Sequence, residues 1–152
     1  MPFHFSLQAV LGFRYSLERR EYLALQALLS KRTDLLREIE NLTSARLRLV
    51  SDLRDTFQSD GISGAELEVV AAKTKSFSSA TDRFEFQLQK VQHEILLQRE
   101  RYRHQRQQRE TLESVRDRQF REYQSLEQRR EQAMLDELHL IRRNLTRQHL
   151  PI

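Results

Sequence analysis

Five histidines, at positions 4, 93, 104, 139 and 149, are the ligand-type side chains that suggest chemistry first, because the chain has no cysteine. His93-Glu94 opens like a zincin helix, in which two histidines four residues apart hold zinc and the glutamate acts as base. The second histidine of that pattern should fall where Leu97 stands, so the pair is incomplete. Asp136 and His139 lie one helical turn apart, but bundle metal sites need several such groups converging from different helices, and the sequence supplies none. There is no G-x-x-x-x-G-K-[ST], which removes ATP binding by a P-loop. Zero cysteines remove disulfides, thiol catalysis and thiolate metal sites, and suit a reducing compartment. No catalytic, cofactor-binding or metal-binding residue is expected, and the chain does not read as an enzyme.

The charges carry the second chemical signal. There are 26 basic and 22 acidic residues in 152, a net charge of +4 and a pI near 9.8, and only Lys31, Lys73, Lys75 and Lys90 are lysines. Residues 99–130 hold ten arginines against six acids. A basic, arginine-rich helix is one way to bind nucleic acid. A basic zipper region, however, concentrates cations with few acids ahead of a parallel leucine zipper. Here the signs are interleaved, which is the pattern of a solvated helix face carrying i,i+4 ion pairs. Nucleic acid is therefore not the expected partner. A basic coiled-coil nucleic-acid-binding protein stays as the alternative, and its affinity would fall steeply with salt.

The elements that position these residues follow from one break. Hydrophobic residues are 38% and charged residues 32%, so a thick globular core is not on offer. Proline occurs only at Pro2 and Pro151, and glycine only at Gly12, Gly61 and Gly64. The stretch Ser59-Asp60-Gly61-Ile62-Ser63-Gly64 is the one strong turn signal, with both of its glycines expected to supply positive φ. Ser63 followed by Glu66 is a capping-box pattern. The expected architecture is all-α: an antiparallel two-helix coiled-coil hairpin, with a helix over about 6–58, a turn at 59–64 and a helix over about 65–147. Ser6 is expected to cap the first helix, with Phe5 packing on Val10 as a staple.

Alternating steps of three and four residues define the seam. In the first helix the two series are Leu25, Arg32, Ile39, Arg46, Leu53 and Leu28, Leu35, Leu42, Leu49. In the second they are Leu67, Thr74, Thr81, Leu88, Ile95, Tyr102 and Val70, Phe77, Phe84, Val91, Gln98, Gln105, Leu112. Setting Gln58 opposite Ala65 makes facing residue numbers add to 123, so Leu28 meets Ile95, Leu35 meets Leu88, Ile39 meets Phe84 and Leu53 meets Val70. The Ser/Thr-rich run 76–81 could bend the second helix, though an uninterrupted helix fits the pattern better.

That register places Leu7 opposite Arg116 and leaves 117–147 without a partner in the chain, an overhang of roughly 45 Å at 1.5 Å per residue. The overhang keeps an apolar stripe, Phe120, Tyr123, Leu126, Met134, Leu138, Ile141 and Leu145, with Arg118, Arg121, Arg142 and Arg143 beside it. An isolated helix gains little from such a stripe, so the overhang is the expected binding surface. Self-association of overhangs is the competing use, with a monomer expected for the protein alone. No apolar run approaches the 18 residues that span a bilayer, and the N-terminus lacks signal-peptide features, so a cytoplasmic protein, peripheral at most, is expected.

The two ends carry a resemblance. Phe3-x-Phe5-x-Leu7-x-x-Val10-Leu11-x-x-Arg14 opens the chain like the start of FliJ-family proteins of the flagellar type III export apparatus. Asp117-Arg118-Gln119 and Arg129-Arg130-Glu131-Gln132-x-Met134-Leu135-Asp136-Glu137 are similar to that family's C-terminal pattern. Stalk proteins of virulence type III secretion systems look much the same. The resemblance implies a stalk like that of the F-type ATP synthase γ subunit and a non-enzymatic part in flagellum biogenesis, hence in motility and chemotaxis. It implies partners too: the flagellar export ATPase, whose ring it would enter and whose assembly and activity it would promote, the export gate protein FlhA, and export substrate chaperones. The place implied is the flagellar base, on the inner face of the cell membrane. It places Arg118, Phe120, Tyr123, Leu126, Met134, Asp136, Glu137, Leu138 and Ile141 at the ATPase ring and the turn-proximal end toward the gate.

Overall fold

Long runs free of proline and glycine let each half of the chain propagate as one helix. In the computed structural model, which describes residues 1–149, helix α1 spans Gln8–Ser59 and helix α2 spans Gly64–Gln148. The structure is all-α, with no strand among the described residues. Pro151 lies outside the described residues. The run 76–81 stays helical: Thr74 and Thr81 each turn their hydroxyls back to the carbonyl four residues before, at 2.9 and 2.8 Å, which satisfies them inside the helix.

The turn forms where expected, with one difference. Gly61 takes φ 73°, but Gly64 has no positive φ and begins α2. One left-handed residue is enough, because Ser63 already leaves the turn in cap geometry. Its Oγ accepts from the Glu66 amide at 3.2 Å, an N-cap bond at the third helical residue. At the other end α1 starts two residues later than Ser6. The Gln8 amide donates to the Phe5 carbonyl and the Leu11 amide to the Leu7 carbonyl, so Leu7 takes the cap position. Phe5 is buried as expected, whereas Val10 is exposed, so the Phe5–Val10 staple does not form the core of this end.

Contacts divide the chain into two units: Leu17–Gln105, and Met1–Ser16 with Arg106 onward. Within the first, α1 and α2 pack antiparallel along the expected seam. Leu25, Leu35, Val91 and Ile95 form its core, with Leu28, Leu29, Phe84, Leu88 and Tyr102 against it. Val91 and Ile95 are each 2% exposed. Ile39, Leu42, Leu53, Val70 and Phe77 continue the seam toward the turn as half-buried side chains. Three seam positions behave differently. Leu67 is 55% exposed, in the first turn of α2. Arg46 is exposed and Arg32 half-buried, in keeping with long stems that lie along the seam while the guanidinium reaches water.

Gln98 is the polar member of this core, 6% exposed. Its Nε2 donates to the Glu21 backbone carbonyl at 3.0 Å and also to the Glu21 carboxylate. A buried donor so matched fixes axial register, because a slip would strand it without a partner. Tyr22 and Tyr102 stand across the seam nearby, ring centroids 5.8 Å apart.

Candidate partner-binding surface

In the unit that holds both chain ends, the N-terminal segment lies on α2 and covers part of the surface expected to be bare. Phe3 meets Phe120 edge-on, with centroids 5.2 Å apart, and Tyr123 at 5.6 Å. The Tyr123 hydroxyl donates to the Met1 carbonyl. Beneath this hook Phe5 is 4% exposed and Leu11 is wholly buried. The expectation that 117–147 has no intrachain partner is therefore corrected at its near end: Phe120 and Tyr123 are partnered, and the bare helix begins after them. Phe120 still exposes part of its ring.

Further along the same unit, Arg14 donates to Gln108, and Arg109 stacks over Tyr15 at 5.3 Å while pairing with Glu113 at 2.8 Å. Other arginines of this stretch also pair along their own helix: Arg106 with Glu110, Arg116 with Asp117 and Arg130 with Glu127. Apart from the adjacent Arg116–Asp117, these are the i,i+3 and i,i+4 pairs that interleaved charge predicts.

Past Tyr123 the seam changes character. At roughly 100° per residue, Phe120, Tyr123, Met134, Leu138, Ile141 and Leu145 fall within an arc of about 60°. Between Tyr123 and Met134 the same face carries Glu127 and Arg130, which pair with each other at 2.8 Å. A charged step thus separates the hook-covered rings from a distal apolar run. Every described residue after Glu127 is exposed, including Met134, Leu138, Ile141 and Leu145, the isoleucine at 55%. Within the distal run the apolar side chains recur at seven residues, Met134 to Ile141 and Leu138 to Leu145, the spacing of a coiled-coil seam.

The remaining expected contact residues do not share this face. Glu137 lies about 40° and Leu126 about 60° outside this arc, on the same side. Arg118 and Asp136 lie on the opposite face, Asp136 accepting from Gln132 at 3.0 Å. The structure brings Phe120 and Tyr123 together and strings the others along an exposed helix. What the sequence reading missed is the hook itself, Phe3 with Phe5 and Leu11. Among the described residues no group of three or more His, Cys, Asp or Glu is placed to hold a metal, and no helix is long and apolar enough to cross a membrane.

The model of the family described as flagellar FliJ protein matches residues 3–147. No curated protein and no solved structure matches significantly. With nearly its whole length covered, from the Phe3 hook through the distal stripe, the chain belongs to the flagellar FliJ protein family, a family of flagellar type III export stalk proteins.

Proposed function

We propose that this protein works as a non-enzymatic stalk of the export ATPase, docking in its ring through the distal face of α2. The observation that carries the reading is the bare stripe Met134, Leu138, Ile141 and Leu145, an exposed helical face continuing the line of a seam buried elsewhere. Apolar contact would supply affinity, while Arg142 and Arg143 steer approach to acidic loops of the ring. A single asymmetric stalk in a six-fold ring touches the subunits unequally, and unequal contact biases their conformational states. Assembly and activity of the ATPase are promoted in this way. The turn-proximal end of the hairpin serves the export gate protein FlhA, export substrate chaperones complete the set of partners, and the place of action is the cytoplasmic side of the flagellar base.

The test replaces Leu138 and Ile141 together with aspartate. Both side chains are exposed and lie outside the α1–α2 seam, so the fold survives and helix content by circular dichroism stays at the parent value. The expected result is loss of ATPase stimulation and of export. If the double variant still stimulates the ATPase and supports export, the distal stripe is not the docking surface.

A further inference from the structure

The distal stripe has a spacing that matches itself. Met134, Leu138, Ile141 and Leu145 are separated by four, three and four residues, an order that reads the same in both directions. Two such helices laid antiparallel about a point midway between His139 and Leu140 set Leu138 against Ile141 and Met134 against Leu145, twice over. The flanks tolerate this register, with Glu131 coming opposite Gln148, Asp136 opposite Arg143 and Glu137 opposite Arg142. No like charges are opposed.

From this geometry we infer that the stripe pairs two copies of this chain, overhang to overhang, in that antiparallel register. Continuity with the existing interface supplies the orientation. In the unit holding the chain ends, the first residues already occupy this face of α2 as far as Tyr123, through Phe3 and Met1. A second α2 arriving parallel would have to run on into that segment. Arriving antiparallel, it takes up the line along α2 that the first segment leaves, with the same sense. In the inferred register residue 149 of one copy reaches only Arg130 of the other, seven residues short of Tyr123, so the hook and its ring contacts stay in place.

The area sets the strength. About three helical turns with four apolar side chains per copy bury on the order of 1,000 Å² in total, at the lower edge of specific interfaces. The dimer is therefore weak and reversible, a monomer in dilute solution and a pair when concentrated. Paired copies hide the stripe from water and from any other partner until it is displaced.

The full chain tests this alone, by analytical ultracentrifugation from about 1 µM to about 500 µM, a span suited to a weak interface. The parent is expected to pass from monomer to dimer, and the Leu138→Asp, Ile141→Asp double variant to stay monomeric throughout. A parent that is monomeric at every concentration overturns the inference, as does a double variant that pairs as the parent does. Because the chain has no cysteine, orientation is read by oxidising mixed single-cysteine variants, Leu138→Cys with Ile141→Cys. The mixed 138–141 disulfide should dominate, and dominance of 138–138 and 141–141 products would overturn the antiparallel register. None of these readouts involves the ATPase, so failure here leaves the docking reading standing, and loss of docking leaves the pairing intact.

Discussion

Ile95→Ala is the sharpest probe of the seam. Ile95 is 2% exposed in the core that it forms with Leu25, Leu35 and Val91. The substitution removes three buried carbons, worth about 2.4 kcal/mol at about 0.8 kcal/mol each. The hole adds a cavity term that brings large-to-small losses to about 2–5 kcal/mol. A pair of helices is thin, so neighbours and water partly fill the space, and the expected loss is about 3 kcal/mol. Leu97, two residues on, is half-exposed, and Leu97→Ala should change stability by less than about 0.5 kcal/mol. Urea denaturation followed by circular dichroism at constant m-value gives both numbers. A loss below about 1 kcal/mol for Ile95→Ala, or equal losses for the two, would mean that the helices do not pack on this stripe.

Two glycines should respond in opposite directions. At Gly12, inside α1, an added Cβ meets nothing within 4 Å, so Gly12→Ala should stabilise by about 0.5–1 kcal/mol, read as a rise in the urea midpoint. Gly61 holds φ 73°, and Gly61→Ala should cost about 1–2 kcal/mol although its surroundings are as open; an unchanged midpoint would refute the turn geometry. Phe3→Ala removes two ring contacts of about 0.5–1.5 kcal/mol each, so hydrogen exchange of α2 amides near Phe120 and Tyr123 should quicken while those near Ile95 hold. Equal exchange at both places would show that the hook does not protect α2.

Regular features of this fold are legible because a two-helix seam is a one-dimensional code. Steps of three and four residues located Leu28, Leu35, Val91 and Ile95, and the facing-number register agrees with Tyr22 beside Tyr102 and Leu25 in one core with Val91 and Ile95. The hook was not legible on the same terms. Phe3 lies ahead of α1, where the backbone is not helical and covers more than 1.5 Å per residue, so helical register has no authority there. Phe3 and Phe120 nevertheless add to 123, as if the register ran on. Glu21 lies outside the apolar seam series, since a carboxylate belongs in water. Its partner Gln98 lies about one turn from the facing position, within reach of a long side chain but invisible to a rule that pairs opposite residues. Gly64 differs from the expectation of positive φ because it needs no special φ once Ser63 caps the helix. In the distal stripe the apolar face follows from residue types, whereas the Glu127–Arg130 pairing that isolates it depends on which rotamers the two side chains take.

Docking through the distal stripe is most directly tested by placing a photo-activatable cross-linking residue at one position at a time in an otherwise native chain. Position 141 lies in the stripe, and position 69, also half-exposed, lies near the turn. Each protein is mixed with the assembled export ATPase ring, irradiated, and the adducts are mapped. Docking through the distal stripe predicts covalent adducts to the ring from position 141 and none from position 69. Adducts from position 69 with none from position 141 would contradict it and move the docking surface to the turn end of the hairpin.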